Sequence, residues 1–317
     1  MAENKRFFYG WLILLTCILI MGLGYAPLVS CASLFTKPVT EDLGFTRSGY
    51  ALVSTIAALM MAFMSPFIGK IMSKPYMHKA LVVCMIGNCL AYYCYSFAST
   101  LPQFYVTAAC IGFFECGSTM IPVSVLITNW FRKKRGLVMS IAMVGSSIGG
   151  TILSPIIGNL IASQGWRFTY KAVGITRLVI LVPLVLLVIR RTPADMGTKA
   201  YGADEEGETG KARKTEREWN VSLKEVKKKP MFWCFVLGCT LISATAAVIT
   251  QIPASVMDAG YATTTAASIA SLYLFIAIPG KLVLGHIYDR YGVKAGILFG
   301  NTMFFLSVIC LIFIKHQ

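Results

Sequence analysis

Long apolar runs dominate this 317-residue chain, and its charges fall almost wholly between them. A helix needs about 20 predominantly apolar residues to cross the hydrocarbon core of a bilayer. Inside that core every backbone polar group must be paired within the protein, which leaves helices as the natural solution for such runs. Nine spans are expected on this ruler: 7–35, 48–72, 80–98, 102–130, 137–163, 168–189, 231–257, 263–287 and 295–314. Hydrophobic residues make up 56% of the chain and charged ones 14%, against about a quarter charged in a soluble domain. The fold class is therefore an all-α membrane protein. The first run follows Lys5 and Arg6, exceeds a signal-peptide core in length and lacks a small-x-small cleavage site, so it is expected to remain as a span.

The formal charge of +15 would suit a nucleic-acid ligand, but its placement points elsewhere. Eleven Lys and Arg between Arg190 and Lys229 are interleaved with eight Asp and Glu, and four more form the run Arg132–Arg135. Basic clusters beside apolar spans are orientation signals. With the N-terminus cytoplasmic, the short inner connections carry eleven Lys and Arg and the outer ones five, which favours that orientation. The expected setting is the cell membrane, crossed several times, with lipid as a partner and nucleic acid excluded. The ten cysteines lie in apolar spans and the three histidines are scattered, so neither a disulfide framework nor a metal site is expected. There is no nucleophile elbow and no phosphate-cradling glycine loop; neither an enzyme nor a cofactor is expected.

The polar stretch 191–230 divides the chain into 1–190, read as a six-helix bundle, and 231–317, read as an incomplete bundle of three. The middle of the stretch, rich in glycine and charge, reads as a cytoplasmic linker, and Ser222 with Glu225 fits a helix-capping box. A weak internal repeat spans the divide. Gly69-Lys70-Ile71-Met72-Ser73-Lys74 follows Pro66, and Gly285-His286-Ile287-Tyr288-Asp289-Arg290 follows Pro279, 216 positions later. The pairs Gly87-Asn88 and Gly300-Asn301 lie 213 apart. Parallel repeats of this kind are what duplicated transporter halves leave in sequence.

The loop Gly285, Asp289, Arg290, Gly292 and Lys294 resembles the signature between the second and third helices of each half of the major facilitator superfamily. Its N-terminal copy has Ser73 at the acidic position. Trp130-Phe131 through Arg135-Gly136 resembles the loop between the fourth and fifth helices. Gly165-Trp166-Arg167 resembles the outer turn before the sixth, and Arg191-Thr192-Pro193 with Gly197 its exit. The resemblance implies two bundles of six helices, of which this chain would lack the last three. Tyr9-Gly10-Trp11, Gln251-Ile252-Pro253 and Asp258-Ala259-Gly260 are similar to the oxalate–formate antiporter and monocarboxylate transporter branch. In that branch an arginine of the eighth helix binds the substrate carboxylate, and the matching position here is Lys281. The acidic proton-coupling position four residues earlier is Ala277, so the resemblance does not support coupling there.

A charge deep in a span is costly and is kept where it has a partner or faces a polar interior. Glu115 is the one acidic residue well inside a span, some 20 Å from its start at about 1.5 Å per residue. It reads either as a protonatable coupling group or as a neutral packing residue. Arg177 either lines a substrate path or snorkels to the outer surface, and Lys281 sits in the inner half of its span. Tyr25, Asn88, Gln251 and Tyr273 are uncharged candidates for a cavity lining. Gly145, Gly149, Gly150 and Gly158 read as a close-packing surface, and Gly22, Gly24 and Pro27 as a bend or kink in the first span. Together these point to secondary transport of a small organic anion by alternating access, with Lys281, Arg177, Tyr25, Gln251 and Tyr273 facing the substrate and Glu115 holding a possible coupling ion. Two alternatives remain: a drug or metabolite exporter of the same fold, and a truncated, non-transporting membrane protein or subunit.

Overall fold

The computed structural model describes residues 8–202, 223–238, 240 and 251–314. The middle of the expected linker, its Ser222 cap and 241–250 of the expected seventh span lie outside them. In chain order the elements are α1 (Gly10–Leu19), running through a π-helical turn (Ile20–Tyr25) into Ala26–Val29, then α2 (Thr36–Leu43), α3 (Arg47–Met72), α4 (Met77–Cys94), α5 (Leu101–Ser118) and α6 (Met120–Trp130). These are followed by α7 (Arg135–Val188), α8 (Leu223–Val226), α9 (Ile252–Asp258) and α10 (Thr263–Ile314). Among the described residues, six helical segments are long and apolar enough to cross a membrane.

Two of them are too long for one crossing. α7 has 54 residues and α10 has 52, each on the order of 80 Å if straight against a core of about 30 Å. Each breaks at a single glycine with positive φ, Gly165 at 81° and Gly292 at 83°. An L-residue with a Cβ strains in that region, so glycine is what lets each helix turn back on itself. Each long helix thus supplies two crossing arms, 135–164 and 166–188 in α7, and 263–291 and 293–314 in α10. Of the expected span 231–257, residues 231–238, Thr240 and Ile252–Met257 are helical.

The bend expected from Gly22, Gly24 and Pro27 takes the form of the π-helical turn, a local rewinding that often marks functional positions. It lies where α1 crosses the first arm of α7. A Cβ on Gly149 would sit 2.2 Å from Gly22 O, and one on Gly145 would sit 2.3 Å from Ile18 O. The backbones touch, which is the role read for this glycine surface.

Two apolar clusters stack along the bundle. One gathers Ile13, Met21, Met72, Met85, Cys116, Trp130 and Leu181; the other gathers Cys31, Phe35, Tyr92, Phe104, Ile111, Tyr170 and Val173. In α5 Glu115 separates Ile111 of one cluster from Cys116 of the other, in α7 Arg177 separates Val173 from Leu181, and Asn88 of α4 and Gly24 of the π-helical turn meet Arg177. A polar layer therefore crosses the bundle near mid-height.

Candidate translocation site

Arg177 is 1% exposed, so snorkelling does not describe it. Its Nη2 donates to Gly24 O at 2.9 Å, within the π-helical turn, and to Asn88 Oδ1. The guanidinium lies over the Tyr92 ring, 4.9 Å from its centroid. Glu115, 6% exposed, is in Coulombic range of Arg177, with no N–O approach within 4 Å among the described residues. Tyr25 is half-buried and also in range of Glu115. The sequence singles out Glu115 and Arg177 separately; the fold places them in one layer.

Lys281 projects from the first arm of α10 onto the first arm of α7. Its Nζ donates to Met143 O at 3.1 Å and to Ser146 Oγ at 2.8 Å. Both acceptors are neutral. Nearby, Ser271 Oγ donates to Thr151 O at 2.7 Å, and Tyr273 Oη is buried with no partner. Small residues let the two arms close: a Cβ on Gly158 would meet Ala267 Cβ at 2.6 Å, and one on Gly285 would meet Ser140 Oγ at 2.2 Å. Gln251 is exposed at the start of α9, and only its backbone carbonyl is engaged, by Ser255. Among the described residues, no hydrogen bond joins Gln251 to Lys281 or Arg177.

The repeated loop is assembled at one end of the same pair of arms. Asp289 accepts from Gly136 N at 2.9 Å and Leu137 N at 2.7 Å, two unpaired amides in the first turn of α7. Gly292 makes the break, Arg290 lies over Tyr291, and Lys294 is exposed. The N-terminal copy works differently: Ser73 O accepts from Arg191 Nη2 at 2.7 Å, tying α3 to the end of α7. At the opposite end Arg47 forms a two-point ion pair with Asp258, and Lys37 Nζ donates to Met257 O at 2.8 Å. Arg47 and Asp258 are 211 positions apart, and no local pattern joins them. Contacts thus bridge the segments on either side of 203–222 at both ends.

A carboxylate at a helix N-terminus contributes on the order of 1 kcal/mol, about fivefold in a two-state balance. Asp289→Asn keeps an acceptor but loses the charge. It is expected to speed maleimide labelling of a cysteine introduced at Ser140, which Gly285 covers, by about that factor. An unchanged labelling rate would show that Asp289 does not hold this end shut.

Stacked apolar helices around a buried polar layer, with ion pairs and charged contacts that tie their ends, describe a polytopic membrane protein. The Major Facilitator Superfamily profile matches residues 12–317, and the chain belongs to that family, whose members are transporters and not enzymes. It is 24% identical over 229 residues to human monocarboxylate transporter 2, covering 71% of this chain and 45% of that protein. It is 26% identical over 209 residues to the MFS-type transporter pytF of Aspergillus terreus, covering 66% of this chain and 62% of that protein. The chain thus spans about half to three fifths of these relatives. Its fold is similar to the crystal structure of a bacterial homologue of the human lysosomal transporter Spinster, with TM-score 0.69, 16% identity, 92% of this chain and 64% of that one covered.

Proposed function

We propose that this chain forms a secondary carrier for a small organic anion, a mono- or dicarboxylate, with Lys281 as its principal anion contact. The observation that carries the reading is that the Lys281 ammonium meets two neutral acceptors, Met143 O and Ser146 Oγ, at the seam between α7 and α10. Neutral oxygens satisfy its N–H groups but leave its charge uncompensated, so a negative solute is the partner it lacks. The matches to monocarboxylate transporters support the same solute class. In this reading 1–190 and 231–317 are the two moving bodies, joined by 191–230, in a cell membrane with the N-terminus cytoplasmic. Alternating access breaks the Asp289 contacts at one end and the Arg47–Asp258 pair at the other in turn. Arg177, Tyr25, Tyr273 and Gln251 would line the path, and Glu115 would carry the coupling ion.

The test is uptake of labelled lactate, formate, oxalate and pyruvate into proteoliposomes. Lys281→Ala is expected to lower uptake by more than about tenfold, since losing one side of a desolvated charge contact costs ~2 kcal/mol or more. Lys281→Arg keeps the charge and should retain part of it. Full uptake by Lys281→Ala across all four solutes would remove the assignment.

A further inference from the structure

Four buried atoms of the polar layer have no hydrogen-bond partner: Arg177 Nε, Arg177 Nη1, Asn88 Nδ2 and Tyr92 Oη. Every one of them can donate. The Asn88 amide orientation is fixed because its Oδ1 already accepts from Arg177, which leaves its NH₂ as the free end. Asn88 and Tyr92 are one helical turn apart on α4, so they share the face turned to Arg177. The Tyr92 ring lies against the guanidinium. A buried donor without an acceptor loses its hydration for nothing in return, and four such donors around one guanidinium call for an acceptor.

We infer that Arg177, Asn88 and Tyr92 form a binding site for a small monovalent anion, a halide or a one-carbon carboxylate, inside the bundle of α1, α4, α5 and α7. The site lies apart from the Lys281 contacts, and it rests on the reading above in that Arg177 and Glu115 are given to the same path there. The donors are buried among packed helices, so a small ion is the probe that suits them. A halide can accept from more than one N–H or O–H group, and formate offers two acceptor oxygens.

Glu115 sets the conditions for occupancy. Arg177 from α7, Tyr25 from the π-helical turn, Tyr95 just past α4 and its own neighbour Cys116 are within electrostatic range of its carboxyl, and Cys89 and Tyr92 of α4 are within range of Arg177. Arg177 is the one cation in that set. An ionised Glu115 and a bound anion therefore compete for the same positive charge. Entry of the anion is expected to bring a proton to Glu115, which ties proton and anion occupancy together without any acidic residue beside Lys281.

The test uses the purified full chain in lipid nanodiscs, with chloride or formate exchanged for gluconate at constant ionic strength and Tm as the readout. A saturable rise on the order of 5 °C at about a hundredfold excess over Kd is expected, larger at pH 5.5 than at pH 8. Tyr92→Phe removes one donor and no packing. It should leave Tm in gluconate unchanged or higher and weaken the anion response by about threefold or more, where a purely structural hydroxyl would leave that response alone. Glu115→Gln should strengthen the response and flatten its pH dependence. No anion-dependent rise in the parent protein overturns the inference. So does a rise untouched by Tyr92→Phe and Glu115→Gln; if Lys281→Ala abolishes that rise, the ion belongs to the seam and the reading of Lys281 stands without this one.

Discussion

Gly149→Ala is expected to remove most of the folded protein, while Gly300→Ala leaves it intact or more stable. The added methyl is the same in both. At Gly149 it would lie 2.2 Å from Gly22 O and 2.4 Å from Gly22 Cα. Both obstacles are backbone, so no side chain can swing aside; α1 and the first arm of α7 would have to separate. Such overpacking costs typically 1–3 kcal/mol where side chains can adjust, and on the order of 3 kcal/mol or more is expected where none can. Separation would also pull Gly24 O, two residues further along the π-helical turn, away from Arg177. At Gly300 nothing lies within 4 Å of the added carbon, and alanine is favoured over glycine in a helix by roughly 1 kcal/mol. Thermal unfolding and the monodisperse fraction on size exclusion, measured for both variants in the same detergent, decide it. Equal behaviour would mean that the crossing of α1 on α7 is looser than described.

What the sequence makes legible here follows from which signals are local. Span length, the glycine surface of 145–158 and the loop from Gly285 to Lys294 are all written within one helix or one turn. The fold keeps each of them: Gly145 and Gly149 meet a backbone, Asp289 meets a helix start, and Gly292 turns a helix back. Gly165 is legible only through resemblance, because one glycine in an apolar run looks the same whether it packs, bends or reverses the chain. Arg177 illustrates the opposite limit. Nine residues into its span, its depth permits both snorkelling and burial, and the choice is made by Asn88 and Gly24 O on two other helices. Arg47 counts in sequence as a loop charge and Asp258 as part of the Asp258-Ala259-Gly260 motif, and neither shows the pair, which depends on how 1–190 meets the helices after residue 230. Ser73 also gains meaning only in three dimensions: without a carboxylate, the N-terminal copy of the loop engages Arg191 through its backbone and braces its own bundle.

Arg177→Ala is the second substitution with a large expected effect, and Glu115 determines how large. Truncating the arginine strips Asn88 Oδ1 and Gly24 O of their donor and removes the one cation near Glu115. Breaking a buried charge relationship by deleting one partner costs about 3–5 kcal/mol, chiefly because the other charge is left without compensation. Glu115→Gln keeps shape and hydrogen-bonding capacity but leaves the Arg177 charge without its carboxylate; it is expected to cost less than Arg177→Ala, because Gly24 O, Asn88 Oδ1 and the Tyr92 ring still engage the guanidinium. In the double variant the uncompensated carboxylate is gone, and about 1–2 kcal/mol of the Arg177→Ala loss should return. Unfolding of the four proteins in one lipid system at pH 8 closes this cycle. Strict additivity would mean that the two side chains are energetically independent despite sharing the polar layer. Glu115 would then be a packing residue, and the coupling of proton to anion would have to be sought at another position in the bundle.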